Sequence, residues 1–407
     1  MATGKETLDP LLPVAGVRLA AVAAGVRYQN RRDVVVLELA PGSVTAGVYT
    51  RNAFCAAPVQ VARQHEQSSG GDVRYLLVNT GNANAGTGEP GLRDATQCCE
   101  ELARLTDVRT DQVLPFSTGV IGERLPAARI AAALPSALPE LKDDHWHDAA
   151  VGIMTTDTRP KGVSTTLEHD GRTITITGIT KGAGMIKPNM ATMLAFVATD
   201  ARLELPLLQQ LLRTAVEYSF NRITVDGDTS TNDCCMLSAT GQSGVEISAA
   251  TPALLEQFGQ KLTELVQALA KLIIRDGEGA RKFVTVDVRG GGSVDECLKV
   301  AYTIAESPLV KTALSASDPN WGRILAAIGR AGVEGLDVGL IDVYLGDVRL
   351  VSGGGLADDY MEAQGQAVMS QEDIVLRVEL GRGEFAEQVW TCDLSEEYVR
   401  INASYRS

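Results

Sequence analysis

The chain contains 407 residues, which is enough for two or three compact units, and 45% of them are apolar, which is enough to bury a sizeable core. Its 37 lysines and arginines against 51 aspartates and glutamates give a net charge of −14, and so acidic a surface repels the phosphate backbone of nucleic acid. Seven cysteines without a C-x-x-C spacing argue against both a disulfide framework and a thiolate zinc site.

No apolar run approaches the ~18 residues of a membrane-spanning helix. The eight apolar residues 19–26 lie between two arginines and follow an acidic start, which is unlike a secretory signal. We therefore expect a cytoplasmic protein that binds neither membrane nor nucleic acid.

The first half of the chain shows strand patterns around one amphipathic helix. Residues 34–37 and 75–78 are short apolar runs rich in β-branched side chains, and the polar residues 79–82 predict a turn after the second run. Apolar side chains recur at helical spacing in residues 92–105, which predicts a helix. Alternating Thr and Ile in residues 173–179 predict a further strand.

The second half combines long helices with hairpin patterns. Leucine-rich periodic stretches at 205–220 and 252–274 predict helices, and Ser293 with Glu296 has the spacing of a capping box before a third helix. Four apolar runs predict strands, the first two joined by a two-residue turn: 341–345, 348–351, 374–380 and 386–392. The chain as a whole predicts a mixed α/β fold with antiparallel strands beside long helices.

The segment most informative for chemistry is residues 181–194, KGAGMIKPNMATML. Its glycines allow a loop of unusual backbone geometry, and Thr192 opens the apolar run that follows. A hydroxyl in this position suits attack on the preceding peptide bond: Thr192 Oγ1 adds to the Ala191 carbonyl, the acyl group shifts from nitrogen to oxygen, and water opens the ester. The product is a new chain that begins at Thr192.

The new α-amine would supply the base that a threonine nucleophile needs. An α-amine has a reference pKa of roughly 7.7–8.0, so a useful fraction is unprotonated near neutral pH. The four histidines show no Ser or Cys partner pattern, which agrees with a site that uses none: His65, His145, His147 and His169. From spacing alone, an ordinary glycine turn followed by an ordinary strand residue is the simpler interpretation.

Residues 181–194 resemble the self-cleavage and nucleophile motif of the ornithine acetyltransferase (glutamate N-acetyltransferase) family of arginine biosynthesis. Further blocks resemble family segments and occur in the family's order: 50–59, 79–85, 117–122, 226–233, 276–280 and 318–323. Several long blocks in register over essentially the whole chain are highly specific. The sequence is therefore identified as a member of this family.

The resemblance implies that the precursor matures by self-cleavage between Ala191 and Thr192. An α chain (1–191) and a β chain (192–407) would stay associated, as two α plus two β chains, in an α/β/β/α sandwich of mixed and antiparallel sheets resembling self-processing N-terminal-nucleophile enzymes. Thr192 would take the acetyl group from N2-acetylornithine and pass it to glutamate, releasing ornithine. Neither a cofactor nor a metal is implied.

The resemblance also assigns the residues around the nucleophile. Thr118 and Gly119 would form the oxyanion hole, a hydroxyl and a backbone N–H that converge on one oxygen. Substrate contacts would come from these residues: Thr155, Lys181, Thr192, Glu278, Asn402 and Ser407. Both substrates are α-amino acids with a free carboxylate, which a cation such as Lys181 suits. Glu278 would pair with the side-chain ammonium of ornithine or handle a proton, and Ser407 keeps the hydroxyl of the threonine more common at this chain end.

Other functions compete with this one. Asp226 and Asp228 suggest a phosphotransferase with a paired-aspartate Mg²⁺ site, although Ser230 stands where that pattern has Thr or Val, and aspartates beside glycine are more often a turn. A self-processing aminopeptidase or amidase would share the cleavage and use water in place of glutamate. An acidic scaffold without activity has only the net charge in its favour. The family includes members that also use acetyl-CoA as acetyl donor, and the sequence leaves that point open.

Overall fold

The computed structural model describes residues 2–5, 7–187 and 193–404. Within these ranges the strands are β1 (Val17–Val22), β2 (Val34–Leu39), β3 (Val44–Tyr49), β4 (Tyr75–Asn82), β5 (Val113–Val120), β6 (Lys161–His169), β7 (Arg172–Lys181), β8 (Leu194–Thr199), β9 (Ile223–Thr224), β10 (Cys234–Ala239), β11 (Phe283–Gly291), β12 (Asp342–Leu345), β13 (Val348–Ser352), β14 (Gly355–Leu356), β15 (Asp373–Glu379) and β16 (Phe385–Cys392). They form three sheets, with the strand orders β1-β2-β4-β5, β3-β10-β8-β7-β6 and β14-β13-β12-β15-β11-β16-β9.

The helices of the same ranges cover the outer faces of these sheets. They are α1 (Ala57–Ser69), α2 (Gly88–Thr106), α3 (Ala127–Ala137), α4 (Trp146–Gly152), α5 (Leu205–Glu217), α6 (Pro252–Arg275), α7 (Val294–Ala305), α8 (Pro308–Ser315), α9 (Trp321–Gly329), α10 (Glu362–Met369) and α11 (Glu396–Ala403). Of the helices in the described part of the chain, none has the length and apolar character that crossing a membrane requires.

Successive side chains of a strand point to opposite faces of its sheet, so each sheet has an inner and an outer face. The inner faces of the first two sheets pack against each other. Leu194 and Phe196 of β8 belong to the same hydrophobic cluster as Val35 and Phe116 of the four-stranded sheet. The rings of Phe116 and Phe196 meet edge to face, with their centroids 5.1 Å apart. The two sheets thus share one internal core.

The outward faces of both sheets are covered by helices. Val34 and Val36 of β2 pack with α2 and α3, whereas Ala195 and Val197 of β8 pack with α5 and α6. The layers therefore run helix, sheet, sheet, helix, which is the predicted α/β/β/α sandwich. One face of β8 is covered by the other sheet and the opposite face by helices, so all six of its residues are buried.

The seven-stranded sheet has a hydrophobic cluster of its own. Val284, Val286 and Val288 of β11 pack against α7, α8 and α9 in this cluster. The sheet packs on the sandwich through Ile223 of β9 and Trp390 of β16, which belong to the same hydrophobic cluster as the outward face of β8. Helix α6 contributes too, since it contacts both the sandwich and β16.

Most predicted elements are confirmed with small shifts at their ends. The apolar runs at 34–37 and 173–179 lie inside β2 and β7, and the long helix predicted at 252–274 is α6, with Pro252 in its first turn. Ser293 caps α7 by accepting a hydrogen bond from the Glu296 backbone N–H at 3.1 Å. The predicted hairpin is β12 and β13.

The predicted turn at residues 79–82 is wrong. Strand β4 continues through Asn82 and pairs with β5 in parallel up to that residue. Its polar side chains find partners inside the protein, since Asn79 Oδ1 accepts from Ser117 Oγ at 2.6 Å and Asn79 Nδ2 donates to the Asn82 carbonyl at 2.9 Å. Internal hydrogen bonds of this kind allow asparagine in a buried strand.

Candidate active site

A cavity of about 260 Å³ lies where the ends of β5 and β7 meet the loop after α6 and helix α11. It brings together the predicted site residues that the structure describes: Thr118, Gly119, Thr155, Lys181, Glu278 and Asn402. These residues come from separate parts of the sequence and reach the cavity only through the fold. The predictions for Ala191, Thr192 and Ser407 fall outside the described residues.

Gly119 shapes the wall that is predicted to hold the oxyanion. Its φ of +137° is a conformation that residues with a side chain rarely adopt, and a Cβ here would lie 2.3 Å from the carbonyl carbon of Gly81 in the neighbouring strand. Only glycine therefore fits. At this point the pairing of β4 with β5 becomes irregular, between Gly81 and Asn82. Thr118 and Gly119 thus stand at an irregular strand end beside the cavity.

Asn232 holds this wall to the rest of the sandwich. Its Nδ2 donates to the Ala83 carbonyl at 2.6 Å and to the Ser117 carbonyl at 2.9 Å, which ties the ends of β4 and β5 to the segment before β10. Sequence reasoning gave Asn232 no role, although it lies in the 226–233 block that resembles the family. A buried amide that satisfies two carbonyls is visible only in the structure.

Lys181 ends β7 and provides a positive charge in the cavity. Its Nζ donates to Thr118 Oγ1 at 2.9 Å. The residue predicted to bind the substrate carboxylate is therefore in contact with a residue predicted to stabilise the oxyanion. Burial lowers the pKa of Lys181, while the charges of Asp157, Asp233 and Glu278 oppose that shift. An ammonium whose pKa is lowered by burial gains from pairing with a substrate carboxylate.

Glu278 and Asn402 form the opposite side of the cavity. Asn402 Nδ2 donates to Glu278 Oε2 at 2.7 Å, and the Glu278 backbone N–H donates to the Ala183 carbonyl at 2.8 Å. A Cβ on Gly184 would lie 2.5 Å from the Glu278 carboxylate. The loop that precedes the predicted cleavage site therefore packs directly on Glu278, and a side chain at position 184 would displace the Glu278 carboxylate.

Asp233 is a second residue that sequence reasoning missed. It lies with Thr118 and Lys181 on a small cavity that adjoins the first, and Met193 lines the same space. Burial raises the pKa of Asp233 well above its ordinary value, against a hydrogen bond from Ser230 and the charge of Lys181. Its Oδ2 has no hydrogen-bond partner among the described residues.

Asp226, one of the two aspartates that suggested a phosphotransferase, has a structural role in a loop. Asp226 accepts hydrogen bonds from the backbone N–H groups of Met185 and Ile186, at 2.6 and 2.9 Å, and from the Tyr398 hydroxyl at 3.3 Å. This carboxylate thereby fixes the loop after β7, and Met185 there has a φ of +56°. No group of three His, Cys, Asp or Glu residues arranged for a metal ion occurs in 2–5, 7–187 or 193–404.

The four histidines, all of them described, lie away from the cavity wall. His65 is buried and its Nδ1 contacts the Val113 carbonyl at 2.8 Å, which is a structural role in α1. Among the described residues, the polar groups that line the cavity are hydroxyls, amides, one ammonium and one carboxylate. These are groups that can bind an amino acid and stabilise an oxyanion.

Comparison with known proteins shows which family the chain is similar to. The model of the ArgJ family matches residues 18–407. The arginine biosynthesis bifunctional protein ArgJ of Pseudomonas fluorescens (strain Pf0-1) is 58% identical over 408 residues, and so is the protein of the same name of Pseudomonas syringae pv. tomato; each alignment covers 100% of both chains.

Solved structures also match parts of the chain. A crystal structure of the arginine biosynthesis bifunctional protein ArgJ of Bacillus halodurans is 38% identical and covers 52% of this chain and 98% of its own, with a TM-score of 0.49. Ornithine acetyltransferase of Mycobacterium tuberculosis, complexed with ornithine, is 37% identical and covers 44% of this chain and 94% of its own, with a TM-score of 0.41. On the family model and the full-length relatives, the chain belongs to the ArgJ family.

Proposed function

We propose that this protein moves an acetyl group from N2-acetylornithine to glutamate, through an acetyl ester on Thr192. As a member of the ArgJ family it is an N-acyltransferase of arginine biosynthesis. The observation that carries the proposal is the cavity that gathers six of the predicted site residues. Its groups match the chemistry of the two substrates, one after the other.

The substrate carboxylate is the group the cavity suits best. Donor and acceptor are both α-amino acid derivatives with a free α-carboxylate, and Lys181 is a cation that lines the cavity, beside the hydroxyl of Thr118. A charge-assisted hydrogen bond to a carboxylate is about twice as strong as a neutral one. Lys181 therefore anchors each substrate by the part that both share, while Glu278 faces the side-chain ammonium of ornithine.

The proposed nucleophile and base are one residue. After cleavage, the α-amine of Thr192 takes the proton of its own hydroxyl, and the oxygen attacks the acetyl carbonyl. Thr118 and Gly119 donate to the oxyanion that develops, an interaction whose loss usually costs about 10²–10³ in kcat. Ornithine leaves with a proton, and glutamate then attacks the acetyl ester by the reverse route.

The energetics of the exchange explain what the site has to achieve. One amide is broken and one amide of the same kind is formed, so the overall reaction is nearly balanced. The ester intermediate must be kept from water until glutamate arrives. We therefore predict ping-pong kinetics, and kinetics that require a ternary complex would contradict the proposal.

Cleavage would leave two pieces that share one sheet. Strand β7 precedes the proposed cleavage site and β8 follows it, and the two pair in antiparallel fashion from Lys181 with Leu194 to Ile176 with Thr199. Strand β10 from the later part also pairs with β3 from the earlier part. These ladders support an α chain (1–191) and a β chain (192–407) that stay associated. Two of each would assemble the heterotetramer, and the native mass of the processed protein tests this.

N-terminal sequencing and product analysis test the proposal together. Purified protein should give two bands near half size on a denaturing gel, and the β chain should begin Thr-Met-Leu-Ala. Incubation with N2-acetylornithine and glutamate should form N-acetylglutamate and ornithine, whereas Thr192→Ala should yield an uncut, inactive chain. Thr192→Ser, the matched control, keeps a hydroxyl and should retain cleavage. Acetate released at the same rate without glutamate would instead support an amidase.

Two extensions of the proposal have simple tests. The Pseudomonas relatives are named bifunctional, so we include acetyl-CoA as a second acetyl donor. Acetyl-CoA with glutamate and no acetylornithine should then give N-acetylglutamate, and absence of product would restrict the donor to acetylornithine. Deletion of residues 405–407 tests Ser407 as a substrate contact, because it should raise KM.

We place the activity in the cytoplasm. All seven cysteines are free thiols, a state typical of a reducing compartment. Cell fractionation with an antibody against the β chain checks this assignment.

A further inference from the structure

A fully buried ionic cluster lies behind the cavity wall and is formed by Asp157, Lys161 and Asp276, which we call the ionic triad. Lys161 Nζ contacts Asp157 Oδ1 at 2.6 Å and Asp276 Oδ2 at 2.5 Å. The exposed fraction of the three side chains is 1% or less. The ammonium also donates to the Arg159 carbonyl at 3.4 Å, so each of its three N–H groups has an acceptor.

A stabilising role alone explains this cluster poorly. Removing charges from water is expensive, and a buried ion pair is often no more stabilising than apolar residues of the same volume. The further contacts of the two carboxylates show what else the cluster does. They extend to segments that carry predicted substrate contacts.

Asp157 joins two of these segments. Its Oδ2 accepts the backbone N–H of Thr155 at 2.9 Å, and its Oδ1 accepts the backbone N–H of Gly182 at 2.7 Å. Thr155 lines the cavity, and Gly182 directly follows Lys181 at the end of β7. One carboxylate thus fixes the spacing between the loop after α4 and the end of the strand that carries the cationic residue.

Asp276 joins a third segment to the same ammonium. Its carboxylate accepts the backbone N–H of Thr158 at 3.0 Å and also the Thr158 hydroxyl. Glu278 follows two residues later and faces the cavity, where it accepts from Asn402. The ammonium of Lys161, which is 115 residues from Asp276 in sequence, therefore links all three segments.

We infer that the ionic triad is a positioning device that sets the distances among Thr155, Lys181 and Glu278. The inference rests on the proposed function, because it concerns how the acetyltransferase site holds its two substrates. The residues of the triad are positioning residues and act through the three that face the cavity.

The charge of Asp157 also affects the pH dependence of the activity. Burial lowers the pKa of Lys181; Asp157, Asp233 and Glu278 are the negative groups that oppose this, and Lys161 adds to it. Loss of the Asp157 charge removes one opposing group, so the pKa of Lys181 falls further. Since the cation binds the substrate, activity is lost as pH rises through this pKa. The basic limb of the pH profile must then move to lower pH.

The test is Asp157→Asn in the processed enzyme, assayed with N2-acetylornithine and glutamate. An amide oxygen can accept one of the two backbone N–H groups, but the amide nitrogen cannot accept the other. We expect kcat/KM to fall roughly 100-fold, as a displacement of about 1 Å can cause, and the basic limb to shift toward lower pH. Unchanged kcat/KM with an unshifted limb would overturn the inference.

Asp200→Asn is the matched control. Asp200 is also a buried carboxylate, and it accepts the backbone N–H of Thr175 at 2.9 Å beside the same pair of strands, but at the end away from Lys181. The six residues of β8 separate the two ends by roughly 20 Å. The control should keep its pH profile, and an equal shift in both variants would also overturn the inference.

Thr158→Val provides a second variant if Asp157→Asn does not fold. Thr158 is exposed, and its replacement removes the hydroxyl donor to Asp276 without leaving a buried charge unpaired. We expect kcat/KM to fall about tenfold with an unchanged melting temperature. If the wild type is active and Thr158→Val is fully active too, the positioning role of the ionic triad is refuted while the proposed function stands. A wild type that forms no N-acetylglutamate would refute the proposed function.

Discussion

Asp157 and Asp233 are buried carboxyl groups that act on the same lysine, yet their pKa values move in opposite directions. Burial would raise the pKa of Asp157, but the charges of Lys161 and Lys181 and the hydrogen bonds it accepts outweigh burial and hold the pKa well below its usual range. Burial wins at Asp233 and raises its pKa well above the usual range. The charge of Lys161, rather than the depth of burial, sets the two pKa values apart.

This difference places beside Lys181 one carboxylate whose pKa is lowered and one carboxyl group whose pKa is raised. Asp157 is ionised at neutral pH and stabilises the charge of Lys181. Burial raises the pKa of Asp233 and so favours its protonated form, and its Oδ2 lacks a partner in the described parts of the chain. Four substitutions break or sharpen this comparison.

Asp157→Ala should have the largest effect, because it leaves the Lys161 ammonium buried with only one carboxylate. Breaking a buried ion pair typically costs about 3–5 kcal/mol of unfolding free energy. Urea denaturation at pH 7 measures this loss. The pKa of Asp157 is lowered in the folded state, so its contribution is present above the unfolded-state pKa of about 3.9 and is lost as pH falls through the lower folded value. A loss below about 1 kcal/mol at pH 7 would mean that Asp157 is not a paired anion.

Thr118→Ala should have the second-largest effect, a loss of catalytic rate. It removes the proposed oxyanion donor and the hydroxyl that accepts from Lys181. Loss of one such donor usually costs about 2.7–4 kcal/mol of transition-state stabilisation. Rates of self-cleavage and of turnover, measured in parallel, should both fall. If both rates match those of the wild type, Thr118 does not belong to the site.

Lys181→Met removes the cation on which both aspartates act. It deletes a charge-assisted hydrogen bond to the substrate carboxylate, worth about 1.5–3 kcal/mol, so KM for acetylornithine and for glutamate should rise together. Steady-state kinetics with each substrate varied in turn measures this. A rise for only one substrate would contradict a shared carboxylate site.

Asp233→Asn should have the smallest effect, about 1 kcal/mol or less at pH 4, since one neutral group replaces another of the same shape. The folded-state pKa of Asp233 lies above its unfolded value, so the folded state holds the proton longer and the wild type loses stability as pH rises above about 4. The variant should therefore gain in melting temperature relative to the wild type between pH 4 and pH 7. A relative loss over this interval would show that Asp233 is an anion like Asp157.

The elements were predictable where local pattern determines structure. Helix α6 has a regular apolar stripe and a proline in its first turn, and β8 is a short apolar run, so both could be predicted from neighbours in sequence. The strand end at residues 79–82 could not. Its asparagines are typical of turns, and they are satisfied by Ser117, a residue in another strand.

Some site residues could be predicted from the sequence and others could not. Residues inside recognisable blocks, such as Thr118 and Lys181, were assigned through the family resemblance. The contact between Lys161 and Asp276 was invisible, because 115 residues separate them and neither lies in a pattern that predicts an ion pair. Long-range polar contacts depend on tertiary structure and require coordinates.

The central claim is that the acetyl group travels on Thr192, and its most direct test is mass spectrometry of the processed enzyme after incubation with N2-acetylornithine alone. The β chain should carry one acetyl group on its first residue, and added glutamate should remove it while N-acetylglutamate forms. A β chain that stays unmodified while product accumulates in the complete reaction would contradict the account.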